Sequence, residues 1–471
     1  MQSIGIIGSG FAGIMTAIQL IRKAPAPLSI YIIGDKNSFA RGVAYQPYSS
    51  RHILNVIAGK MSAFPDQPDH FLDWLMDKEE FKFIDRNIVS NSFISRKLYG
   101  DYLVHLWQNH LKIASEKGIE VVELTDTVSH LNLIDNQKIQ LDFHHIPSIV
   151  IDQCVIATGN QIPKNPGIAN IGFFKSKNYF QNPWSIESVK PPFGNLPILI
   201  LGNGLTMVDT ILGLEEQNYS GEIFSLSPNG FNILPHRHSG VVYKNHIEEI
   251  KPGMKPDELA SIILKHIRIV RKFGISAEPI IDALRPLTQK LWSHFTAEDK
   301  KHFMERWRHL FGVARHRIPL HIYDKIMRKR IEGMLHIQSG RIIDITEQAG
   351  IINVKYFNKK TKDVETIQVS RVINCTGPET DFSKLEDTFL SQVIHDKLIS
   401  QDELKLGIRT NTENYRVRYP NGTEHTNLFT LGSNLKGELW ESTAVNELRQ
   451  QAVSLAEVLL DNKKLATMQN S

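Results

Sequence analysis

The residues with the clearest chemical meaning are glycines that recur with the same spacing at two places. The first group spans residues 8–13 (GSGFAG), and the second spans residues 202–207 (GNGLTM). Glycines at this spacing let a strand turn tightly into a helix whose amino end faces the pyrophosphate of a dinucleotide. Two groups predict two dinucleotides. A flavin and a nicotinamide are the simplest such pair, so electron transfer is the leading interpretation.

Each group departs from the usual dinucleotide pattern in one place. After the first group, Gly34 stands where an acid would bind a ribose hydroxyl, with Asp35 beside it. Either Asp35 reaches the ribose from a shifted turn, or backbone atoms and water hold it. In the second group Met207 replaces the third glycine, so a purely structural turn is the alternative. No acid follows the strand at residues 222–226, and Arg237 lies downstream, which favours NADPH over NADH.

Other reactive side chains have simpler explanations. Cys154 and Cys375 each lie in or beside an apolar strand, so buried structural thiols are favoured over a redox pair. The runs 236–238 (HRH) and 315–317 (RHR) carry arginines that suit an anionic substrate or a nicotinamide phosphate. Helix-end capping is an equal alternative for them. Neither run has a carboxylate at ligand spacing, so no metal site is predicted.

Apolar runs define the elements that position these residues. Short strands at residues 4–7 and 198–201 precede the two glycine groups. Two further strands, predicted at residues 149–156 and 369–373, end in a small residue, Thr and Gly, which lets a backbone pass close to a nucleotide. Residues 119–143 alternate in polarity as in a small antiparallel meander.

These elements predict an α/β fold with two Rossmann-like dinucleotide-binding domains, the second inserted in the first. Residues 1–160 and 371–465 form the predicted FAD-binding domain, which is therefore discontinuous. Residues 190–370 form the predicted NAD(P)-binding domain, and a helical tract at about residues 250–335 is an insertion within it. The basic stripes of this tract are interpreted as solvated helix faces.

Composition limits the classes of protein that fit. The formal net charge of +4 over 471 residues is too small to predict nucleic acid or a membrane surface as a partner. No apolar stretch reaches the roughly 18 residues of a spanning helix. The chain begins without the pattern of a secretory signal, and two cysteines suit a reducing compartment, so a cytoplasmic location is predicted. Nothing in the sequence indicates the oligomeric state.

Several longer segments carry a more specific pattern. They are residues 52–56 (HILNV), 58–65 (AGKMSAFP), 69–74 (DHFLDW), 96–102 (RKLYGDY), 157–160 (ATGN), 204–209 (GLTMVD) and 437–444 (GELWESTA). In these segments, which are spread over nearly the whole chain, the sequence resembles the FAD/NAD(P)-binding family that contains FAD-dependent urate hydroxylase and nitrosuccinate synthase.

The resemblance implies where a flavin lies. Residues 55–64 would run along it, with small side chains that allow a close approach. The carboxy-terminal segment would begin a helix near Ser442 and Thr443 and point its amino end at the flavin pyrimidine, which suits the anion of a reduced flavin. Trp440 is expected either to wall the flavin or to pack in the core. The candidate cofactor-binding residues are Gly8, Gly10, Phe11, Ala12, Gly13, Asp35, Asn55, Met61, Ser62, Thr158, Gly159, Gly202, Gly204, Leu205, Thr206, Gly377, Gly432, Trp440, Ser442 and Thr443.

The resemblance and the glycine groups together predict a flavin-dependent oxidoreductase. In the leading hypothesis NAD(P)H at residues 202–209 reduces FAD at residues 8–13 in a monooxygenase that hydroxylates a small polar or nitrogen-containing substrate, anionic or amine-bearing. Such an enzyme needs few catalytic side chains because the cofactor carries the oxygen chemistry, and none is predicted. Two alternatives stay open: a reductase or dehydrogenase that passes hydride through FAD to another acceptor, and a nucleotide-binding module without turnover.

Overall fold

The computed structural model describes residues 1–25, 27–135, 138–237 and 241–461, and the strands of these residues form three sheets. In chain order the strands are β1 (Gln2–Ile7), β2 (Leu28–Ile33), β3 (Glu120–Leu124), β4 (Val128–Asp135), β5 (Lys138–Phe143), β6 (Ile149–Ile151), β7 (Gln153–Ile156), β8 (Tyr179–Phe180), β9 (Ile198–Leu201), β10 (Ile223–Ser227), β11 (Leu335–Gln348), β12 (Ile351–Asn358), β13 (Val364–Val369), β14 (Arg371–Asn374), β15 (Arg416–Arg418) and β16 (Glu424–Thr430). His238 of the predicted anion-binding run and residues 462–465 of the predicted first domain lie outside the described residues.

The helices connect and cover these sheets. They are α1 (Phe11–Lys23), α2 (Gly42–Tyr45), α3 (His70–Met76), α4 (Arg86–Ser90), α5 (Arg96–Glu116), α6 (Ile186–Val189), α7 (Leu205–Glu216), α8 (Pro256–Arg271), α9 (Glu278–Leu284), α10 (Thr288–His294), α11 (Ala297–His302), α12 (Arg308–Arg315), α13 (Leu320–Ile331), α14 (Phe389–His395) and α15 (Val445–Leu460). In the described part of the chain, no helix combines the length and the apolar character needed to cross a membrane.

The first sheet has the strand order β15-β16-β7-β1-β2-β3 and is parallel except for β15. Its central strand β1 is apolar on both faces, with Ile4 and Ile6 fully buried, as expected for a parallel sheet covered on both sides. Helices α1, α5 and α15 form the core on one face. The three-stranded meander β4-β5-β6 and α14 form the core on the other.

The second sheet has the order β13-β12-β11-β10-β9-β14-β8, with β8 to β11 and β14 parallel and β12 and β13 added as an antiparallel edge. The position of β14 differs from the predicted domain boundaries, which assign residues 371–374 to the first domain. The strand pairs with β9 over its whole length, so these residues lie in the second sheet. Val372 and Ile373 at the centre of β14 are buried, and β8 and β9 pair with it on its two sides, so β14 is an interior strand of the second sheet.

Two other predicted elements differ in detail. The strand predicted at residues 149–156 is interrupted at Asp152, whose carboxylate accepts hydrogen bonds from the N–H and the hydroxyl of Ser3, each at 2.8 Å. The chain passes there from the meander strand β6 to the sheet strand β7. The predicted meander begins too early, because β3 pairs in parallel with β2 and belongs to the first sheet.

The predicted helical tract lies between β10 and β11, two parallel neighbours of the second sheet. Helices α8 to α13 therefore occupy one crossover connection of this sheet, and they are called the insertion below. Residues 432–444, which lie between β16 of the first sheet and α15, are called the carboxy-terminal segment below. The insertion packs on this segment through Trp292, which stacks on Trp440 with ring centroids 4.9 Å apart. The insertion thus lies between two strands of the second sheet and also contacts the segment that follows the first sheet.

Candidate nucleotide-binding site

The first glycine turn packs too closely for any other residue at two of its positions. Gly8 has φ +120°, and a Cβ there would lie 2.1 Å from the carbonyl oxygen of Ala157. A Cβ at Gly13 would lie 1.8 Å from the carbonyl oxygen of Gly8. Glycine is therefore needed at both places, so that β1 can turn against the end of β7 and α1 can approach β1.

The amino end of α1 is open and uncharged. A Cβ added at Gly10, the N-cap, would find only the Cα of Gly42 nearby, at 3.5 Å, and the first helical turn contains no acidic residue. The Phe11 ring points into the core, where it packs against Tyr45 and Tyr99 with centroids 6.3 and 6.5 Å away. Only the backbone of Phe11 can therefore face a phosphate. Free helix N–H groups without a nearby carboxylate suit a pyrophosphate.

The unexpected glycine at position 34 has a packing cause. A Cβ at Gly34 would lie 2.0 Å from the hydroxyl oxygen of Ser9, which is itself buried in the glycine turn. Asp35 follows as an exposed residue at the end of β2, and its Oδ1 accepts a hydrogen bond of 2.6 Å from the N–H of Asn37. The Asp35 carboxylate thus orders the next turn, and its contact with a ribose stays a prediction.

The second glycine turn repeats the geometry of the first. Gly202 has φ +103°, and a Cβ there would lie 2.5 Å from the carbonyl oxygen of Cys375. A Cβ at Gly204, the N-cap of α7, would have no atom within 4 Å. Leu205 and Thr206 begin α7 and are half-buried. Each glycine turn therefore packs against the end of a strand that finishes in a small residue, Thr and Gly.

The third position of the second glycine turn has room for a methionine side chain. Met207 is buried, and the hydroxyl of Ser225 in β10 lies 3.2 Å from its sulfur. A side chain thus fills the space between α7 and the sheet, whereas at Gly13 no side chain fits.

The two strand ends leave open space beside the turns. Gly159 and Gly377 have φ +71° and +95°, and a Cβ at either would meet no atom within 4 Å. Thr158 lies one residue earlier, and its hydroxyl is 3.3 Å from the amide nitrogen of Asn434. Glycine is favoured at both positions because the backbone is left-handed there.

The carboxy-terminal segment reaches the first glycine turn through Gly432. A Cβ at Gly432 would be 3.6 Å from the Cβ of Ala12 in the first turn of α1. The Ser442 hydroxyl is fully buried and donates a hydrogen bond of 2.7 Å to the Gly432 carbonyl. Thr443 is exposed, and α15 begins at Val445 rather than at Ser442 or Thr443. The start of the helix lies later because Ser442 holds a turn back onto Gly432.

Asn434 is a residue of this site that the sequence reasoning missed. Its amide nitrogen lies 3.1 Å from the Thr430 hydroxyl and 3.3 Å from the Ile156 carbonyl. Its Oδ1 is buried, and among the described residues it has no hydrogen-bond partner. An unpaired buried acceptor is costly, so a ligand N–H or O–H is the expected partner. The available sequence signal was a polar amide four residues after the last residue of an apolar strand, β16.

The open helix end and the unpaired acceptor of Asn434 fit an FAD molecule at the first turn. The adjoining residues 55–64 are held in place from two sides. Ser62 donates from its hydroxyl to the Gln67 carbonyl at 2.6 Å, and its own carbonyl accepts a bond of 2.8 Å from Arg449 of α15. Met61 is buried beside it. The carbonyl of Asn55 lies 3.1 Å from the Nε2 of His236.

Trp440 packs in the core, which is one of its two expected positions. The ring is buried, stacks on Trp292 and meets the edge of Phe303 at 5.4 Å. Its Nε1 is buried and has no partner among the described residues. Its predicted contact with the cofactor stays a prediction.

The two cysteines are buried free thiols, as predicted. Burial raises the pKa of Cys375 to about 12 and raises the pKa of Cys154 as well. Neither thiol is ionised near neutral pH, which disfavours nucleophilic or redox chemistry. In the described part of the chain no group of His, Cys, Asp and Glu is arranged to hold a metal ion.

The two basic runs lie side by side, because Pro235 and Ile318 form a parallel bridge. Glu278 joins the two runs, with its Oε1 at 2.8 Å from His236 and 3.2 Å from the Nε of Arg317. Arg315 pairs with Glu441 at 3.0 Å. Most of the predicted anion binders are thus engaged within the protein. Glu278 was missed because it lies far from either run in sequence.

Arg96 and Asp209, both in segments that carry the family pattern, meet at a buried ion pair of 3.1 Å. The Nε2 of His52 lies 2.8 Å from the backbone carbonyl of Asp209. Burial is the largest cause that lowers the pKa of His52, so its ring is neutral near pH 7. These residues join α5 to α7 and form a domain joint, a role that the pattern alone did not indicate.

Comparison with known proteins agrees with this geometry. Residues 5–161 match a family model described as FAD-NAD(P)-binding. No curated protein sequence matches the chain. Among solved structures, the fold is similar to that of ornithine N-hydroxylase from Kutzneria sp. 744, solved with reduced FAD, NADP⁺ and L-ornithine (13% identity, 98% of this chain and 100% of that chain, TM-score 0.65). It is also similar to L-lysine 6-monooxygenase from Pseudomonas syringae (14%, 98% and 99%, 0.65) and bacillithiol disulfide reductase from Bacillus cereus (12%, 98% and 99%, 0.55).

These matches confirm the predicted α/β fold with two dinucleotide-binding domains, and the family model confirms FAD-NAD(P)-binding character over residues 5–161. The description of the matched family names both predicted cofactors. The likeness extends over nearly the whole chain, whereas the family model covers the first glycine turn, residues 55–64 and the end of β7.

Proposed function

Because residues 5–161 match a family model described as FAD-NAD(P)-binding, we propose that the chain is an FAD-dependent, NADPH-consuming monooxygenase that hydroxylates the nitrogen of a small amine. The observation that carries the proposal is the repeated turn. Gly8 packs against the carbonyl of Ala157, and Gly202 packs in the same way against the carbonyl of Cys375. One chain thus offers two equivalent nucleotide positions, each at the carboxyl end of its own parallel sheet.

The residues around the first turn have defined tasks in this proposal. FAD, when bound, accepts hydride from the nicotinamide and activates molecular oxygen. The free N–H groups at the amino end of α1 would bind the pyrophosphate of FAD, and the Oδ1 of Asn434 would accept a hydrogen bond from an N–H or O–H group of the cofactor. No side chain is assigned to proton transfer.

The substrate class rests on the structural neighbours. Those with the higher TM-scores are named as hydroxylases or monooxygenases of L-ornithine and L-lysine. All of them share less than a sixth of their residues with this chain, so the particular amine is part of the proposal. NADPH is proposed as the cosubstrate because no acid follows β10 to select a free ribose hydroxyl.

A reductase is the second candidate. The disulfide reductase of Bacillus cereus has the same fold at a lower TM-score. Transfer to a disulfide needs a reactive thiol at the flavin, and the burial of Cys154 and Cys375 with their raised pKa values argues against it.

The test is to reduce the FAD-loaded protein with NADPH without oxygen, and then to admit oxygen with L-ornithine, L-lysine or cadaverine. We expect flavin reduction, and after oxygen a hydroxylamine product with NADPH oxidation that the amine accelerates. NADPH consumption at the same rate with and without oxygen would exclude a monooxygenase. A protein whose flavin NADPH does not reduce would be a module without turnover.

A pair of variants tests the second turn. Gly204→Leu fills the open space above the α7 amino end and should slow flavin reduction by NADPH at least about tenfold, because the nicotinamide nucleotide loses its position. FAD should stay bound. Gly167→Leu is the matched control, since Gly167 has the same open surroundings but lies in the exposed loop between the two sheets.

A further inference from the structure

A cavity lies where the insertion meets the loop that follows β10. It has a volume of about 320 Å³ and lies between residues 234–237, the turn that joins α8 to α9, and the end of α12. It is called the insertion cavity below. None of the described residues that line it belongs to a glycine turn. Sites for small ligands have volumes of about 300 to 1,000 Å³, so the insertion cavity is large enough for one.

The wall of the insertion cavity combines apolar and basic side chains. Leu234, Ile275 and Ala314 are among its apolar members. Its charged members, among the described residues, are Arg237, Arg271, Arg317 and Glu278. Three cations and one carboxylate give the wall a positive net charge. A largely apolar pocket with a few polar groups is the usual form of a small-molecule site, and this charge favours an anionic group.

One of the three arginines is already neutralised. The Nε of Arg317 lies 3.2 Å from the Oε1 of Glu278, and the two side chains are only 4% and 7% exposed. Arg317 also pairs with Asp282 and donates a hydrogen bond of 2.7 Å to the Ala314 carbonyl. The second carboxylate oxygen of Glu278 accepts a bond of 2.8 Å from the backbone N–H of Arg237. The carboxylate of the wall is therefore engaged by the protein itself.

The other two arginines are available to a ligand. Arg237 belongs to the loop before the insertion, whereas Arg271 ends α8, so two separate elements bring them to one cavity. Among the described residues, neither side chain has a hydrogen bond, an ion pair or a contact over an aromatic ring. Many arginines on protein surfaces lack partners. The cavity that both residues line distinguishes this pair from isolated surface charges.

Hydrogen bonds connect the insertion cavity to the segment that is expected along the flavin. His236 directly precedes Arg237, and its Nδ1 lies 2.8 Å from the Oε1 of Glu278 in the cavity wall. The Nε2 of the same ring lies 3.1 Å from the carbonyl oxygen of Asn55. Asn55 begins residues 55–64, which the family resemblance places along a flavin. The cavity wall is thus fixed relative to the place where a substrate of the proposed enzyme must react.

We propose that Arg237 and Arg271 form an anion subsite in the insertion cavity, which binds the carboxylate of an amino-acid substrate. The inference rests on the proposed function and narrows its substrate from a small amine to an amino acid. Each arginine presents a planar pair of donors that matches a carboxylate. The 2′-phosphate of NADPH offers the same anionic chemistry, so the experiments include a separate measurement for each source.

The subsite is tested first without turnover. Calorimetry measures the binding of inorganic phosphate to the FAD-loaded protein at pH 7. We expect Arg237→Gln and Arg271→Gln each to weaken this binding about tenfold, because each removes a charge-assisted hydrogen bond. Arg268→Gln is the matched control, since Arg268 is exposed, lies one turn earlier on α8 and is not among the described residues that line the cavity.

A steric variant separates the cavity from surface charge in general. Ala314→Leu places a larger side chain in the insertion cavity and leaves every arginine unchanged. We expect it to weaken phosphate binding although no charge is removed. Ala260→Leu is its control, because Ala260 is half-buried on α8 and does not belong to the described wall of the cavity. The FAD content of each variant reports whether it has folded.

Matched ligand pairs then identify the source of the anion. L-lysine and cadaverine differ by one carboxylate, and NADP⁺ and NAD⁺ differ by one phosphate. We expect Arg237→Gln and Arg271→Gln to raise the dissociation constant of L-lysine about tenfold and to leave those of cadaverine, NADP⁺ and NAD⁺ unchanged. A rise for NADP⁺ without a rise for NAD⁺ would overturn the assignment to the substrate, because the subsite would then bind the cosubstrate.

The inference is also overturned if neither arginine variant weakens phosphate binding more than Arg268→Gln does, or if L-lysine and cadaverine are affected equally. Absence of any amine hydroxylation would instead count against the proposed function. The calorimetric results do not depend on turnover, so the two failures are distinguishable.

Discussion

At several positions in this protein, the residue type is limited by neighbouring atoms that lie within a few ångströms. Gly34 is the clearest case. Dinucleotide folds commonly place an acid there, yet the Ser9 hydroxyl occupies the space into which any side chain would project. The choice of serine inside the glycine turn therefore decides the residue at the end of β2. Packing against Ser9 therefore explains the glycine at position 34 without reference to ribose recognition.

Replacing Gly34 tests this explanation. Gly34→Ala should lower the free energy of unfolding by about 1 to 3 kcal/mol, because its Cβ would overlap the Ser9 side chain. The double variant Ser9→Gly and Gly34→Ala should recover most of that loss. Urea denaturation of the FAD-loaded proteins measures both. Equal loss in the single and the double variant would show that the Ser9 hydroxyl is not the cause.

Lys436 gives a prediction for pH. Folding lowers its pKa from an ordinary 10.5 to about 8. The protonated group therefore costs stability at every pH below about 8, and the cost fades as the pH rises through 10.5. Lys436→Met should raise the unfolding free energy by about 1 kcal/mol at pH 7, after allowance for solvent screening, and by less at pH 10.

The measurement is thermal or urea unfolding of the FAD-loaded protein at both pH values, without added anions. The groups that face Lys436 are Arg308, His316, Asp402 and the ring of Trp440. Lys23→Met is the control, since Lys23 lies on the surface in a pair with Glu457. A gain that did not decline with pH would assign the effect to packing instead of charge.

At the scale of elements, the two nucleotide folds are joined by specific polar contacts. The pair of Arg96 and Asp209 lies between α5 and α7, with the side chains only 14% and 8% exposed. His52 adds a contact to the backbone of the same aspartate. Three segments that are distant in sequence thus meet at one place, which explains why they belong to the same sequence pattern.

Breaking the ion pair between Arg96 and Asp209 should lower the free energy of unfolding. Asp209→Asn removes the counter-ion of the buried Arg96, whose Nε still donates to the Ile53 carbonyl, and we expect a loss of about 3 kcal/mol in the free energy of unfolding. Asp66→Asn removes the partner of Arg22 in an exposed pair and should cost less than about 1 kcal/mol. Denaturant unfolding measures both. A loss at Asp209 no larger than that at Asp66 would contradict a structural role for the joint.

Across the whole molecule, the insertion connects the two sheets. It leaves the second sheet between β10 and β11 and packs on the carboxy-terminal segment of the first. The pair of Arg285 and Glu447 and the bond from Trp292 to the Gly437 carbonyl reinforce this contact. The first glycine turn and the insertion therefore both border the carboxy-terminal segment.

Trp292 is the central contact of this arrangement. Trp292→Ala should lower the unfolding free energy by about 3 to 5 kcal/mol, as expected for a buried tryptophan, and should speed proteolysis within the insertion. Trp307→Ala is the matched control, since Trp307 lies in the same insertion and bonds an exposed Asp257. Calorimetry measures the loss of stability, and limited proteolysis measures the rate of cleavage within the insertion. Equal effects of both variants would show that the docking does not depend on Trp292.

Local patterns in the sequence were sufficient for the two glycine turns, the strands before them and the fold class. The reason is that a strand, a tight turn and a helix are encoded within about ten contiguous residues. The burial of both cysteines followed from the same apolar runs. The position of β14 did not, because pairing with β9 is a contact across 170 residues of chain.

Only the tertiary structure decided what the polar side chains do. Arg317 carries the sequence signal of an anion binder, yet Glu278 engages it. Trp440 was equally compatible with a flavin and with a core, and the insertion placed it in the core. Charge and aromatic contacts depend on partners brought together by folding, so the sequence alone determined the two glycine turns but not the partners of the polar and aromatic side chains around them.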